Sequence, residues 1–453
     1  MAYWEELDEG SRGELARQIA DLDLEQVGRW VQQYVLSPPT VEAAYSPEPA
    51  PFYPCRPPDE SRRRTYRQAS QFGEKLLREG KIAAFVVAGG QGTRLGFDGP
   101  KGNFPITPVR GKTLFQVFAE YILVARARYG MACPWYIMTS PLNHAQTLEI
   151  LESNGFYGLP AEDVVVFEQG TMPNFGFDGR ILMADKGRIA TSPDGHGGSL
   201  RALHRSGALA DMKCRGIEHI SYWQVDNPLI NIFDPLFIGL HAADGAEMSS
   251  RAVIKNSPFE KVGNFCLVDG KMTVIEYSDL PDELAQARTP DGSLRFELGS
   301  IAIHIIDRVF VERLNEHGFS LPLHRAVKKI PHIDGQGRRV EPSQPNGVKL
   351  ESFIFDALPL ARKSIILETL REAEFAPTKN ATGVDSAEST RRMIVERSAD
   401  WLEAAGVKVP RKADGTPDCL LEIAPSFALY KQDVRAKVAR VPRIRPGDSV
   451  YLA

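Results

Sequence analysis

Apolar side chains between residues 3 and 36 recur at the three- and four-residue intervals of an amphipathic helix, which predicts one or two helices there. These side chains are Leu15, Ile19, Leu22, Val27, Trp30, Val31 and Tyr34. Eight prolines lie between Pro38 and Pro58, and because each lacks a backbone N–H donor, no regular helix is expected in that segment. A further helix is predicted from Ser61, as N-cap, to Glu79, with Gly80 as C-cap. We assign residues 1–80 to an N-terminal helical region.

From Lys81 onward, short apolar runs alternate with stretches of helical spacing, the pattern of buried parallel strands joined by helices. The predicted strands are 82–87, 134–140, 164–167 and 219–225, and the predicted helices are 114–127 and 143–153. This alternation predicts an α/β fold in which helices cover both faces of a doubly wound, mostly parallel sheet, giving three layers. We assign residues 81–370 to this catalytic domain.

One hairpin makes the predicted sheet mixed, and a second hairpin is predicted farther along the chain. Asp269-Gly270 separates two β-rich runs within residues 265–277, and a second turn is predicted at Asp334-Gly335, between Ile333 and Val340. A helix is predicted from about Glu351 to Leu370. Residues 371–453 are predicted to form a small C-terminal α+β domain, with a helix at 390–405 and strands at 419–423 and 449–452.

Composition and charge narrow the possible functions. Apolar residues make up 43% of the 453 and charged residues 25%, which is typical of a globular protein. The formal net charge is −4, so the chain has no global basic field for a nucleic-acid backbone or an anionic membrane. The acidic N-terminus does not resemble a secretory signal, no run reaches the ~18 apolar residues of a membrane span, and the five cysteines are scattered. We therefore expect a cytoplasmic protein with no nucleic-acid or membrane partner.

The most informative segment is a glycine loop that follows the first predicted strand. Residues 85–105 read FVVAGGQGTRLGFDGPKGNFP, in which glycines at 89, 90, 92 and 96 are accompanied by Arg94 and Lys101. Glycines let backbone N–H groups approach phosphate oxygens, and the two cations can neutralise several anionic oxygens at once. The segment therefore predicts a phosphate-binding loop.

Three other interpretations of this loop fit less well. A dinucleotide-binding fingerprint needs GxGxxG, whereas Gly92 is followed by three residues before Gly96. A Walker loop needs GxxxxGK and then Ser or Thr, whereas Lys101 lies between Pro100 and Gly102. A purely structural glycine turn leaves Arg94 and Lys101 unexplained.

Further sequence motifs occur in order along the chain from about Phe85 to about Asn380. They include AGGQGTRLG (88–96), PKG (100–102), KTLFQ (112–116), FEQ (167–169), PDGHGG (193–198), VDN (225–227), VIEYSD (274–279), PNGVK (345–349) and FIFD (353–356). In these motifs the chain resembles the UDP-sugar pyrophosphorylases, most closely the eukaryotic-type UDP-N-acetylglucosamine pyrophosphorylases. The resemblance implies a nucleotidyltransferase fold of the GT-A type and a uridylyltransferase activity that uses UTP and N-acetylglucosamine-1-phosphate.

The implied reaction is attack by a sugar-1-phosphate oxygen on the α-phosphorus of UTP, with pyrophosphate as the leaving group. Because two polyanions must meet, the protein has to position them and neutralise their charge. The predicted catalytic cations are Arg94, Lys101 and Lys349, the last on the strength of the PNGVK motif alone. Asp226 follows an apolar strand, where an open α/β sheet binds ligands, and its carboxylate suits a Mg²⁺ cofactor.

The resemblance also implies a nucleotide site in which Gln169 reads the uracil and the PDGHGG loop contacts the nucleotide. A side-chain amide offers uracil both a donor and an acceptor. The predicted nucleotide-binding residues are Ala88, Gly89, Gly90, Gly92, Thr93, Gln169, Pro193, Asp194, Gly195, His196 and Gly197.

The sugar site is where this chain departs from the family pattern. The resemblance places sugar contacts at Asp226, Asn227, Glu276, Gly299, Ser300, Phe353 and Phe355. Phe353 and Phe355 resemble an aromatic pair lining the N-acetyl pocket, but residues at i and i+2 cannot share one helix face, so one is expected in the core. N-acetylglucosamine-type enzymes usually carry Asn at the positions of His196 and Ser300. Glucose-1-phosphate, or several hexose-1-phosphates, therefore stays open as the sugar substrate.

Two other function classes fit the sequence less well. A glycosyltransferase on a similar sheet commonly uses an Asp-x-Asp metal pair, whereas here the sequence is Val225-Asp226-Asn227-Pro228. A binding protein that has lost catalysis would be expected to lose a cation or the metal carboxylate, yet Arg94, Lys101, Asp226 and Lys349 are all present. The expected oligomeric state is a monomer or a weak homo-oligomer.

Overall fold

The computed structural model describes residues 3–37, 46–319 and 321–453. Residues 38–45 of the predicted proline-rich segment lie outside these ranges. The chain packs as two compact units that interleave along the sequence. The smaller unit comprises Met1–Ser46, Gln169–Ala202 and His317–Ala357, and the larger comprises Pro47–Glu168, Leu203–Glu316 and Leu358–Ala453. The boundaries predicted near residues 80 and 370 follow chain order and stay a prediction.

The smaller unit combines the N-terminal helices with short antiparallel strands. The predicted N-terminal helices are confirmed as Glu9–Ala20 and Leu24–Trp30, with a 3-10 turn Trp4–Glu6 before them and a π-type turn Val31–Leu36 after them. The strands are Thr171–Pro173, Phe175–Gly176, Met183–Asp185, Arg188–Ile189, Thr191–Pro193, His324–Lys328, His332–Ile333, Arg339–Val340 and Gly347–Glu351. The pair His332–Ile333 and Arg339–Val340 confirms the second predicted hairpin.

One apolar cluster joins these distant segments of the smaller unit. Val27 and Val35 pack with strand residues Met172, Phe175 and Val348. The Gln18 side chain accepts a hydrogen bond from the Ile189 N–H at 2.9 Å. The N-terminal helices therefore cover strands that lie more than a hundred residues later in the chain.

The larger unit is built on a ten-stranded mixed sheet, as the sequence predicts. Its strands are Glu48–Pro49, Ile82–Val87, Trp135–Thr139, Val164–Glu168, His219–Gln224, Met248–Ile254, Asn264–Val268, Lys271–Ile275, Leu298–Asp307 and Ser364–Glu368. The four predicted strands run parallel, in the spatial order 219–224, 82–87, 135–139, 164–168. Because they are parallel, their carboxyl ends lie at one edge of the sheet, and the glycine loop and Asp226 follow two of these ends.

Helices pack against both faces of this sheet. The helices are Glu60–Arg78, Leu114–Tyr129, His144–Ser153, Ala208–Cys214, Pro235–Ala243, Asp282–Gln286, Arg308–Asn315, Arg371–Glu374 and Ala387–Ala404. Trp223 and Ile137 face a core shared with Phe118 and Phe237, whereas Tyr136 points to the other face and donates to Asp211 at 2.6 Å. The strands are buried on both faces, which explains their continuous apolar sequence.

Short elements complete the chain. The 3-10 turns are Thr93–Leu95, Lys101–Asn103, Gly155–Gly158, Ala161–Asp163, Ile354–Leu360 and Lys431–Arg440, and the helix Gly198–Arg205 follows the PDGHGG loop. The C-terminal strands Leu420–Ile423 and Ser449–Leu452 pair in parallel and pack with the helix Ala387–Ala404, as predicted. Within the described residues, no helix combines the length and apolar character that crossing a membrane requires.

Two details of the predicted secondary structure are wrong. The helix cap is Asp59, whose side chain accepts the Arg62 N–H at 2.7 Å, so Ser61 lies inside the helix. The helix predicted from Glu351 to Leu370 does not form: the chain is a strand to Glu351, then a 3-10 turn that contains Pro359, and then the strand Ser364–Glu368. Pro359 lacks the N–H that a continuous helix needs, and the backbone that follows forms hydrogen bonds with the strand at residues 248–252.

Two glycines let the helices Glu60–Arg78 and Pro235–Ala243 touch backbone to backbone. A Cβ on Gly239 would lie 1.7 Å from the Ala69 carbonyl oxygen, and one on Gly73 would lie 1.9 Å from the Pro235 carbonyl oxygen. Gly239→Ala is therefore expected to lower the free energy of unfolding by about 3 kcal/mol, because the helices must move apart. Urea unfolding followed by circular dichroism measures this. Gly13→Ala is the matched control, since a Cβ there meets nothing within 4 Å; equal losses in the two variants would contradict the steric account.

Candidate active site

Hydrogen bonds donated to its carbonyl groups hold the glycine loop in place. The Asn143 amide donates to the Ala88 carbonyl at 2.9 Å, and the Ser140 hydroxyl donates to the Gly89 carbonyl at 2.8 Å. The Gly90 carbonyl accepts the Lys101 N–H at 3.0 Å. The N–H groups of Gly89 and Gly90 make no hydrogen bond to any residue that the structure describes. The loop thus presents donors in a fixed geometry, as an anion site requires.

Lys101 and Asp226 come together beside this loop. The Lys101 Nζ lies 4.0 Å from Asp226 Oδ2, and the Lys101 and Asp226 side chains are 15% and 14% exposed. Arg94 is exposed, and its guanidinium has no hydrogen bond or ion pair within residues 3–37, 46–319 and 321–453. The structure therefore places one predicted cation against the predicted metal carboxylate and leaves the other available to a ligand.

The segment after Lys101 is held by C-terminal residues. The buried Glu422 carboxylate accepts the N–H groups of Val109 at 3.0 Å and Arg110 at 2.8 Å. The Lys112 ammonium donates to the Tyr451 hydroxyl at 2.8 Å, and Arg391 donates to the Pro105 carbonyl at 2.8 Å. The C-terminal region thus positions the loop on which Lys101 lies.

Asn227 has a structural role next to Asp226. Its amide donates to the Glu374 carbonyl at 2.8 Å, and its Oδ1 accepts the Ala376 N–H at 3.0 Å. Only 3% of Asn227 is exposed, so its predicted contact with the sugar, which stays a prediction, would require these bonds to change.

The structure also places two residues near Asp226 that the sequence did not indicate. The Thr378 N–H donates to the Asp226 carbonyl at 2.9 Å, and the Lys379 N–H donates to the Asp385 carbonyl at 2.7 Å. Burial raises the pKa of the Asp385 carboxyl, which Lys379 lowers and Asp226 raises further. Lys379 and Asp385 are therefore neighbours of Asp226. The only indication of these residues in the sequence is the lysine in Pro377-Thr378-Lys379, and no glycine motif accompanies it.

Three predicted sugar residues lie together at another place in the larger unit. Ser300 donates its N–H to the Gly263 carbonyl at 2.8 Å. The Glu276 Oε1 and the Ser300 Cβ lie 3.7 and 3.8 Å from where a Gly263 Cβ would stand. Gly299 packs against Val262 and the Lys255 side chain, whose pKa is lowered by burial. Glu276, Gly299 and Ser300 thus form one polar group, as predicted.

The smaller unit brings Gln169 and the PDGHGG loop together. The Gln169 amide donates to Asp194 Oδ1 at 3.0 Å and to the Gly195 carbonyl at 2.8 Å. Gly195 has a φ of +85°, and a Cβ on it would lie 2.2 Å from the Ser352 carbonyl oxygen. The glycine there permits a close approach of two backbones. Pro193 ends a strand that pairs with Thr171–Pro173, which fixes the loop at its start.

His196 is surrounded by the two predicted aromatic residues. Its ring stacks on Phe353, with centroids 5.2 Å apart, and meets Phe355 edge-on at 5.8 Å. His196 Nδ1 accepts the Ile354 N–H at 3.0 Å. Phe355 is 8% exposed and belongs to the core, as expected for at least one of the pair, and both rings contact His196 because the segment is not an α-helix. Lys349, in the strand Gly347–Glu351, donates to Glu351 at 2.9 Å.

Comparisons with known proteins show which family this chain resembles. Residues 54–452 match the profile of the family described as UTP--glucose-1-phosphate uridylyltransferase. Human UDP-N-acetylhexosamine pyrophosphorylase-like protein 1 is 36% identical over 455 residues, covering 94% of this chain and 89% of that protein. UDP-N-acetylglucosamine pyrophosphorylase of Saccharomyces cerevisiae is 38% identical over 350 residues, covering 75% and 73%. The crystal structure of uridine diphosphate N-acetylglucosamine pyrophosphorylase from Trypanosoma brucei, in complex with inhibitor, superposes with a TM-score of 0.83 at 27% identity, covering 98% and 94%.

Proposed function

The chain belongs to the UTP--glucose-1-phosphate uridylyltransferase family, as its motifs indicate, and we propose that it makes UDP-N-acetylglucosamine and pyrophosphate from UTP and N-acetylglucosamine-1-phosphate. The observation that carries the proposal is the glycine loop, in which the N–H groups of Gly89 and Gly90 have no partner among the described residues. The same loop carries Lys101, whose ammonium lies 4.0 Å from Asp226. We further propose that the reaction takes place in the cytoplasm.

In this proposal the loop binds and orients phosphate groups. The N–H groups of Gly89 and Gly90 bind phosphate oxygens, and Arg94 and Lys101 neutralise the charge that builds up as the sugar phosphate approaches UTP. Pyrophosphate leaves as the new bond forms to the α-phosphorus. Gln169 reads the uracil, and Lys349 is a third cation, both by analogy with the family.

Asp226 fits a Mg²⁺ ion. Its carboxylate is 14% exposed and lies 4.0 Å from the Lys101 ammonium, and within the described residues its two oxygens accept no hydrogen bond. Mg²⁺ favours a site with one or two carboxylates and phosphate oxygens, and when bound it would reduce the negative charge of the phosphates. Asp226 would then hold the ion while Lys101 contacts the phosphates directly.

Pyrophosphate release from UTP and Mg²⁺ tests the reaction and its sugar. With N-acetylglucosamine-1-phosphate, kcat/KM is expected to exceed that with glucose-1-phosphate by at least about tenfold, since an acetamide pocket adds apolar contact and hydrogen bonds. Ser300→Asn, which restores the usual family residue beside Glu276, is expected to widen this ratio. Absence of turnover with every hexose-1-phosphate would refute the reaction.

Glucose-1-phosphate is the second candidate, and the observation that favours it is the pair His196 and Ser300. If glucose-1-phosphate is the better substrate and Ser300→Asn reverses the order, these two residues mark a changed sugar site. Phe353 and Phe355 would then serve only to hold His196.

A further inference from the structure

Two histidines and an aspartate converge at the end of the larger unit's sheet opposite the glycine loop. His219 is the first residue of the strand His219–Gln224, and Asp307 is the last of the strand Leu298–Asp307. The two residues stand directly opposite each other in the antiparallel ladder. His241 reaches them from the helix Pro235–Ala243. Three rigid elements therefore supply one side chain each.

The donor atoms of these side chains point at one another. The His219 Nδ1 lies 2.5 Å and the His241 Nε2 lies 2.8 Å from the same oxygen, Asp307 Oδ1. All three potential ligand atoms lie within 4.8 Å of one another. Two imidazole nitrogens and a carboxylate oxygen are the ligand set that proteins use for zinc and neighbouring transition metals, and they are a poor set for Mg²⁺.

The surroundings suit a bound ion. The His241 Nδ1 lies 2.7 Å from the hydroxyl of the buried Ser249. With a metal on Nε2, the Nδ1–H donates to this hydroxyl, the kind of contact that orients metal-bound histidines. With no metal, Nε2–H donates to Asp307 and the hydroxyl donates to Nδ1, so a rotation of Ser249 satisfies both states. The Asp307 side chain is 30% exposed, which leaves room for a water ligand.

From this geometry we propose that His219, His241 and Asp307 bind a divalent transition-metal ion, of which Zn²⁺ fits best. Ligands at about 2.0 Å from a tetrahedral metal stand about 3.3 Å apart, so the carboxylate oxygen must move away from each ring nitrogen by less than about 1 Å. The two ring nitrogens, which lie within 4.8 Å of each other, must approach by at most about 1.5 Å. The strand of six residues separates this site from the Asp226 end by about 17 Å. The ion would cross-link two strands and a helix, and it would not take part in the reaction.

Cobalt titration tests the proposal on the untagged full-length chain. A Cys214→Ser background removes the one exposed cysteine as a competing ligand. After treatment with a chelator, one equivalent of Co²⁺ is expected to give a visible absorption band that one equivalent of Zn²⁺ abolishes and that millimolar Mg²⁺ leaves unchanged. Asp307→Asn is expected to weaken binding at least about 100-fold, and Ser249→Ala about 10-fold.

Controls separate a metal site from a hydrogen-bonded network. His204→Gln and Asp400→Asn remove a histidine and a carboxylate elsewhere and are expected to bind Co²⁺ normally. Zn²⁺ is expected to raise the melting temperature of the Cys214→Ser protein, but not that of a His219→Asn variant, whose change lies at the rim. Failure of the Cys214→Ser protein to bind one equivalent of Co²⁺ or Zn²⁺, or binding that Asp307→Asn and His219→Asn leave intact, would overturn the proposal.

Discussion

Lys101→Ala is expected to lower kcat for pyrophosphate release by about 100- to 1,000-fold while leaving the fold intact. The ammonium lies 4.0 Å from Asp226, and the Lys101 side chain is only 15% exposed. Its loss removes a positive charge where two polyanions meet, and the effect on kcat should exceed the effect on the KM for UTP. Steady-state kinetics with both substrates varied measures the two parameters separately.

The control for this variant is Lys408→Ala, which removes an exposed lysine from the C-terminal region. Lys408→Ala should melt at the temperature of the unchanged chain because Lys408 is exposed, and Lys101→Ala, which removes a mostly buried side chain, should keep the circular dichroism spectrum of the folded protein. If Lys101→Ala retains more than a tenth of the original kcat, the assigned role of Lys101 is wrong.

Arg251→Met is expected to lower the free energy of unfolding by about 3–5 kcal/mol. The Arg251 side chain is 7% exposed, forms an ion pair with Asp234, and lies 3.3 Å from Glu374 Oε2. Methionine fills much of the space but removes the cation that pairs with the buried Glu374 and the half-buried Asp234. Arg338→Met, which breaks an exposed pair with Asp334, is the control and should cost less than about 1 kcal/mol.

The destabilisation by Arg251→Met should depend on pH. Burial raises the pKa of Glu374, and Arg251 opposes that shift, so the variant raises this pKa further above its value in the unfolded chain. The penalty therefore grows as pH rises above the raised pKa of Glu374 in the unchanged folded protein, and it is smallest below that pKa, where Glu374 is neutral in both folded proteins. Urea unfolding at pH 5 and pH 7 compares the two, and adding Glu374→Gln should restore part of the loss at pH 7. An equal penalty at both pH values would contradict the assignment.

The sequence predicted the central sheet because its strands are buried on both faces. The run Ile82–Val87 is apolar and buried at every position, and the run His219–Gln224 is buried from His219 to Trp223. The region from Glu351 to Leu370 was mispredicted because its apolar spacing fits a helix, whereas Pro359 and sheet pairing decide its conformation. Local patterns thus succeed where burial is uniform and fail where long-range pairing overrides spacing.

The site was predictable where a sequence motif indicates a specific chemistry. The glycine loop, Lys101 and Asp226 each follow a recognisable strand, and the parallel sheet brings their ends together. Lys379 and Asp385 were missed because their position depends on a backbone hydrogen bond from Thr378 to Asp226, far away in the chain. The grouping of His219, His241 and Asp307 was equally hidden, since it depends on strand register and on a separate helix.

The hydrogen bonds that Glu422 and Tyr451 accept from the segment after Lys101 also bear on protein synthesis. The ribosome makes Glu422 313 residues after Val109 and Tyr451 339 residues after Lys112. A nascent chain can therefore form the first parallel strands long before its loop is fixed. Translation that stops between the glycine loop and Glu422 would yield a product whose catalytic loop lacks these hydrogen bonds, so activity depends on synthesis of the C-terminal region.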